Sequence, residues 1–124
     1  MTTTDPSTTK TPAQLASSAA RDIAALPRAV DAVEGGAEAH LRDVYHVLGH
    51  LAALAAALPA GVSETAWYIA DLARDGDVVT RDGSDIAEAQ SHLENVLLDI
   101  NAASRLLHTA LGRAQDIIGN VSAA

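Results

Sequence analysis

Apolar residues recur at a three-and-four spacing from Ile86 to Ile117, and this series limits the chain to a helical fold. Ile86, Ala89, Leu93, Val96, Ile100, Ala103, Leu107, Ala110, Ala114 and Ile117 fall on the a and d positions of consecutive heptads. Leu97, Leu111 and Ile118 widen the stripe at e. So broad a stripe predicts a helix packed against at least two neighbours. Alanine at most d positions lets a neighbouring helix come close. Ser84 or Asp85 is the expected N-cap, with Asp85 and Glu88 at capping-box spacing, and Gly119-Asn120 the expected end. At 1.5 Å per residue this fourth predicted helix is about 50 Å long.

Three further helices are expected ahead of it. The first runs from about Pro12 to Glu34, with Thr11 as N-cap and Pro12 at N1. Pro27 interrupts its pattern and predicts a kink or break near Leu26. The second runs from about Ala37 to Leu58 on the a/d series Leu41, Val44, Leu48, Leu51, Ala55 and Leu58, and is stopped by Pro59-Ala60-Gly61. Its second half is apolar on every side. The third is short, about Ser63 to Arg74, and ends at Asp75-Gly76-Asp77. Val78-Val79-Thr80 has no partner strand and is expected to be loop. The fold class expected is therefore all-α: an antiparallel helical bundle of three long helices plus one short helix, with a long C-terminal spine helix. Residues 1–11, rich in Thr with Pro6, read as a flexible tail, 12–120 as the bundle domain, and 121–124 as a flexible C-terminus.

Composition supports a packed helical protein and excludes several functions. The 124 residues contain no cysteine, which rules out disulfides and thiolate zinc sites. Hydrophobic residues make up 48% and charged residues 19%, a globular balance. The net charge of −8 disfavours direct binding to nucleic-acid backbone or anionic membrane surfaces. The longest uninterrupted apolar run, Leu51 to Ala60, is too short to span a bilayer, so no membrane insertion is expected. The N-terminus has no basic start followed by an apolar core, which makes the cytoplasm the default compartment, with signal-less secretion as the other route. Usage rich in Ala, Arg and Asp, with Lys10 the only lysine, suggests a bacterial source.

Candidate chemical motifs are few. Asp43, His46 and His50 share one helical face and are the candidate metal ligands. Their heptad positions lie opposite the leucine seam, which predicts a solvated polar face. Asp85, Glu88 and His92 form a similar line, read as an exposed acid–histidine pairing. His40 and His108 have no patterned partners. Ser91 and Ser104 sit mid-helix, a poor position for a nucleophile. The acidic run from Asp71 through Asp75, Asp77, Asp82 and Asp85 to Glu88 fails the EF-hand template: Val79, Thr80 and Ile86 stand where an acid, a glycine and the bidentate glutamate belong.

Trp67-Tyr68 is the only paired aromatic site, and with no Phe in the chain Trp67 is expected mainly in the core. A mid-chain Trp in a small helical chain is similar, in length and class, to the small secreted helical-hairpin proteins named for a Trp-x-Gly turn. Trp67 is followed by Tyr68-Ile69 inside a predicted helix, so that turn is absent and no function is carried across.

The function expected is that of a non-enzymatic protein–protein interaction or oligomerisation module. It takes no cofactor and no small-molecule substrate, and its partner is a second copy, as a dimer, or another helical protein. The residues expected to meet the partner are Leu51, Leu54, Leu58, Trp67, Tyr68, Leu97, Leu111, Ile117 and Ile118. An antiparallel two-fold pairing of the spine helix, or of the second helix, would cover them. In that reading Leu107→Glu disrupts folding and Ile118→Glu only weakens association. Two other readings remain open at this level: an acidic decoy occupying a basic nucleic-acid-binding surface of a partner, and a metal-binding helical protein using its surface histidines.

Overall fold

The computed structural model describes residues 9–124 and contains three α-helices, with no strand among the described residues. The sequence-predicted tail falls largely on residues 1–8, outside the described residues. Residues through Asp43 belong to one compact unit and Val44–Ala124 form the other.

In the first unit, α1 spans Pro12–Asp31. Thr11 caps it as the sequence predicts, and the cap is a full box. The Thr11 hydroxyl accepts from the Gln14 N–H at 3.2 Å, and the Gln14 side-chain oxygen accepts from the Thr11 N–H at 2.9 Å. Thr11 is therefore part of the helix start rather than of the tail. Of the kink or break expected near Leu26, the break does not occur, since α1 runs on through Pro27 to Asp31. Pro27 leaves the Ile23 carbonyl without its ladder N–H. Gly35, at φ 119°, turns the chain, and the Gly36 carbonyl accepts the N–H of His40. The His40 ring reaches back to the Val33 carbonyl at 2.7 Å, which places the hydrogen on Nε2.

The main correction to the sequence reading concerns the second and third predicted helices. They are one helix, α2, Ala37–Arg74, which continues through Pro59-Ala60-Gly61. It ends as a Schellman motif: Gly76, at φ 76°, donates to the Ala73 carbonyl at 3.1 Å, and Asp77 donates to Leu72 at 2.9 Å. The expected bundle of three long helices and a short one is thus replaced by three helices.

Val78-Val79-Thr80 is loop, as expected. The connection closes with a tight turn in which Gly83 adopts φ 79°. Ser84 donates to the Asp82 carboxylate twice, from its hydroxyl at 2.6 Å and its backbone N–H at 3.0 Å. These bonds, first the hydroxyl and then the N–H, hold the Asp82 carboxyl below its ordinary value of 3.8. Then α3 runs Ile86–Gly119, capped by Asp85, whose carboxylate accepts from the Ala87 N–H at 3.0 Å.

From Val44 onward α2 packs antiparallel to α3. Three side chains of α3 reach backbone carbonyls of α2: Gln115 to Tyr45 at 3.2 Å, His108 to Ala52 at 2.8 Å, and Ser104 to Ala55. Moving one way along α2 matches moving back along α3, which fixes the register. Such reach needs a slender α2. Gly49, Ala52 and Ala55 supply it, and a Cβ on Gly49 would lie 2.5 Å from the Gln115 amide nitrogen. At the far end the Tyr45 ring sits against Gly119, where a Cβ would stand 3.2 Å from it. The seam is consequently thin. Among the described residues only Ala52, Ala55 and Ser104 are buried, and no large side chain is fully enclosed.

Candidate interaction surface

Proline at position 59 removes the N–H that would otherwise bond the Ala55 carbonyl four residues back. Ser104 of α3 fills that vacancy: its buried hydroxyl donates to the Ala55 oxygen. One turn further, the His108 Nδ1–H donates to the Ala52 carbonyl. Ser104 and His108 thus each bond a backbone carbonyl of α2. Around them lies a cavity of about 290 Å³ lined by Ala56, Pro59, Asn101, Ser104, Arg105 and His108.

Toward the loop end, α2 and α3 form a groove of about 180 Å³ lined by Ala66, Trp67, Ile69, Ala70, Leu93 and Leu97 together with the polar Gln90 and Glu94. Trp67 is not in the core. It is 68% exposed and its neighbour Tyr68 67% exposed. The reason is geometric. The α2–α3 seam passes through Ala66 and Ala70, which are half-buried, and this turns the aromatic pair outward.

The expected contact residues divide between two faces. Leu51, Leu97, Leu111 and Ile118 are half-buried. Leu54, Leu58, Trp67, Tyr68 and Ile117 are exposed. Along α3 the seam follows the e positions Gln90, Leu97, Ser104, Leu111 and Ile118, not the d positions. The d residues Ala89, Val96, Ala103, Ala110 and Ile117 are left uncovered. Leu107, expected to be central, is 49% exposed. Leu98 and Leu106, outside the heptad stripe and absent from the sequence-derived set, are 66% and 73% exposed. Their f and g positions are the signal: leucines on what should be the wet side of a helix. Ser104 was also missed as a seam residue, although a mid-helix proline announces a carbonyl that needs a donor.

Asp43, His46 and His50 follow one another along α2, with His46 and His50 exposed and the His46 ring edge-on to Tyr45 at 5.7 Å. Among the described residues no group of three or more histidine and carboxylate side chains comes together to hold a metal ion. The Asp71 carboxylate pairs with Arg74 on the surface. By length and composition α2 is the one described helix apolar enough to cross a membrane. From Val44 to Ser63 it carries no Asp, Glu, Lys or Arg, a longer stretch than the Leu51–Ala60 run suggests, because the interruptions are histidine, tyrosine and glycine.

No family model, no curated protein and no solved structure matches this chain.

Proposed function

We propose that this protein is a non-enzymatic helical module that acts by protein–protein contact, with self-association as its primary mode. One observation carries the reading. The α2–α3 pair encloses almost nothing larger than alanine, while Val96, Leu98, Leu106, Leu107 and Ile117 of α3 and Trp67, Tyr68 and Ile69 of α2 stand exposed. Burying a large apolar side chain is worth about 1.5–3 kcal/mol, and two helices joined by a thin alanine seam forgo most of that gain. Val96, Leu107 and Ile117 share the a/d stripe of α3, and an apolar stripe left open in this way marks an interaction site.

Insertion of α2 into lipid is a poor alternative occupant of the same surface. The helix is paired with α3, which carries Glu88, Glu94, Asp99, Arg105, Arg113 and Asp116. Each charge at the bilayer centre costs at least ~2.5 kcal/mol. The reading is tested by sedimentation at tens of micromolar. Association beyond the 12.7 kDa of one chain is expected, and a well-folded 12.7 kDa monomer overturns it.

A further inference from the structure

We infer that the uncovered edge of α3 is the interface with a second copy of this chain, joined antiparallel in one definite register. The inference rests on the self-association proposed above and adds the face, direction and residue pairing. The edge consists of the a and d residues of α3 that α2 leaves partly or wholly open. Val96 is 51% exposed, Leu107 49% and Ile117 65%, while Ile86, Ile100 and Ala114 are half-buried and so lie between α2 and this edge.

Self-complementarity points to a second copy. In antiparallel packing, a positions meet d positions of the partner. One register pairs all ten. Leu107 meets the partner's Val96, Ile100 the partner's Ala103, and Leu93 the partner's Ala110. Ile86 then meets the partner's Ile117, and Ala114 the partner's Ala89. The central pair Ile100–Ala103 and the outer pair Leu93–Ala110 each set a large residue against an alanine, the size alternation that fills an interhelical space. Slipping by one heptad strands either Ile86 and Ala89 or Ala114 and Ile117. A parallel pairing stacks Ala89, Ala103, Ala110 and Ala114 on themselves, whereas the antiparallel register sets only Ala89 and Ala114 alanine against alanine.

The area suffices. About a third of the surface of a helix this long is roughly 600 Å² on each copy, or about 1,200 Å² in total, the lower bound for a specific interface. The pairing is apolar, so it is expected to persist at high salt.

The natural chain has no cysteine, which allows a clean cross-linking test. Val96→Cys and Leu107→Cys proteins are prepared separately, checked for wild-type helicity by circular dichroism, and oxidised alone and after mixing. In the proposed register Val96 lies about 16 Å along the axis from its own counterpart, as does Leu107 from its own, beyond disulfide reach. Only the mixture should form a disulfide-linked pair. A pair formed by Val96→Cys alone shows parallel packing and overturns the inference. Self-association without any cross-link shows that another face is used, which overturns this interface but leaves the proposed function standing. A monomeric wild type overturns both.

Discussion

The hydroxyl of Ser104 donates to the carbonyl of Ala55, the one α2 carbonyl from Val44 onward whose helical partner is a proline nitrogen. An interior proline usually costs a helix ~3 kcal/mol or more, partly through this orphaned oxygen. Here a side chain from the neighbouring helix supplies the missing donor, and α2 runs unbroken from Ala37 to Arg74. Two helices that share little large apolar surface are thereby held in register by a polar bond in their most buried stretch.

Removing that donor should be costly in proportion to the vacancy it fills. Ser104→Ala is expected to destabilise the fold by about 1–3 kcal/mol, the cost of a buried acceptor left unsatisfied. In a Pro59→Ala background the residue 59 N–H returns to Ala55, so the same change should cost less than half as much. Urea unfolding of the four proteins of this cycle measures the coupling. Equal Ser104→Ala costs in both backgrounds would show that Ser104 does not act through the proline vacancy.

The start of α1, the loop at 78–80 and the span of α3 were legible in the sequence because each rests on local features: Thr11 ahead of Pro12, the Asp75-Gly76-Asp77 stop with no strand to pair with Val78-Val79-Thr80, and an unbroken heptad series. The continuity of α2 was not legible. Propensity places a stop at Pro59-Ala60-Gly61, and the donor that overrides it lies far along the chain at Ser104. The face of α3 was half legible. Heptad counting gives the stripe but not which edge meets α2, and Gly49, Ala52 and Ala55 decide that by allowing close approach along the e positions. Trp67 misled for the same reason, since its bulk argues for a core that this seam never builds.

Gly49 is a position where helix propensity and packing oppose each other. Alanine would gain about 0.5–1 kcal/mol in an ordinary helix interior. Its Cβ would displace the Gln115 amide and its bond to Tyr45, worth ~1 kcal/mol. Gly49→Ala is therefore expected to leave the urea midpoint nearly unchanged. In a Gln115→Ala background, where nothing is displaced, the same substitution should stabilise.

His46→Ala and His50→Ala should be nearly silent, within ~0.5 kcal/mol, because both side chains are exposed. His108→Ala should cost about 1 kcal/mol through its lost bond to Ala52. Thermal denaturation of the three variants, with and without zinc, checks both statements. A zinc-dependent stabilisation lost in the His46 or His50 variant would restore the metal-binding reading.

The Asp82 turn should make a small pH-dependent contribution. Its carboxyl is held below 3.8 in the folded chain, chiefly by Ser84, so the folded state favours the ionised form. That stabilisation is complete above the ordinary value and is lost as pH falls through the depressed one. The stability difference between wild type and Asp82→Asn should therefore be constant near neutrality and shrink as the solution is acidified below about pH 4. A difference that grows on acidification would contradict the sign.

Ile117 and Ile118 are neighbours in sequence and should answer the same substitution in opposite ways. Ile117 is 65% exposed on the open edge of α3, whereas Ile118 is half-buried toward α2. The sequence alone points to Ile118→Glu as the change that weakens association and to Leu107→Glu as the change that unfolds the chain; their exposures reverse that assignment. A glutamate at position 118 removes apolar contact with α2 and places a charge in the seam, so a loss of about 1–3 kcal/mol in folding stability is expected. At position 117 or 107 the carboxylate meets water in a single chain, and stability changes little until a second copy tries to pack there. Ile117→Glu and Leu107→Glu should keep their helical circular dichroism while sedimenting as monomers at concentrations where the wild type is associated. Loss of helicity in Leu107→Glu would return that residue to the interior of the chain's own fold.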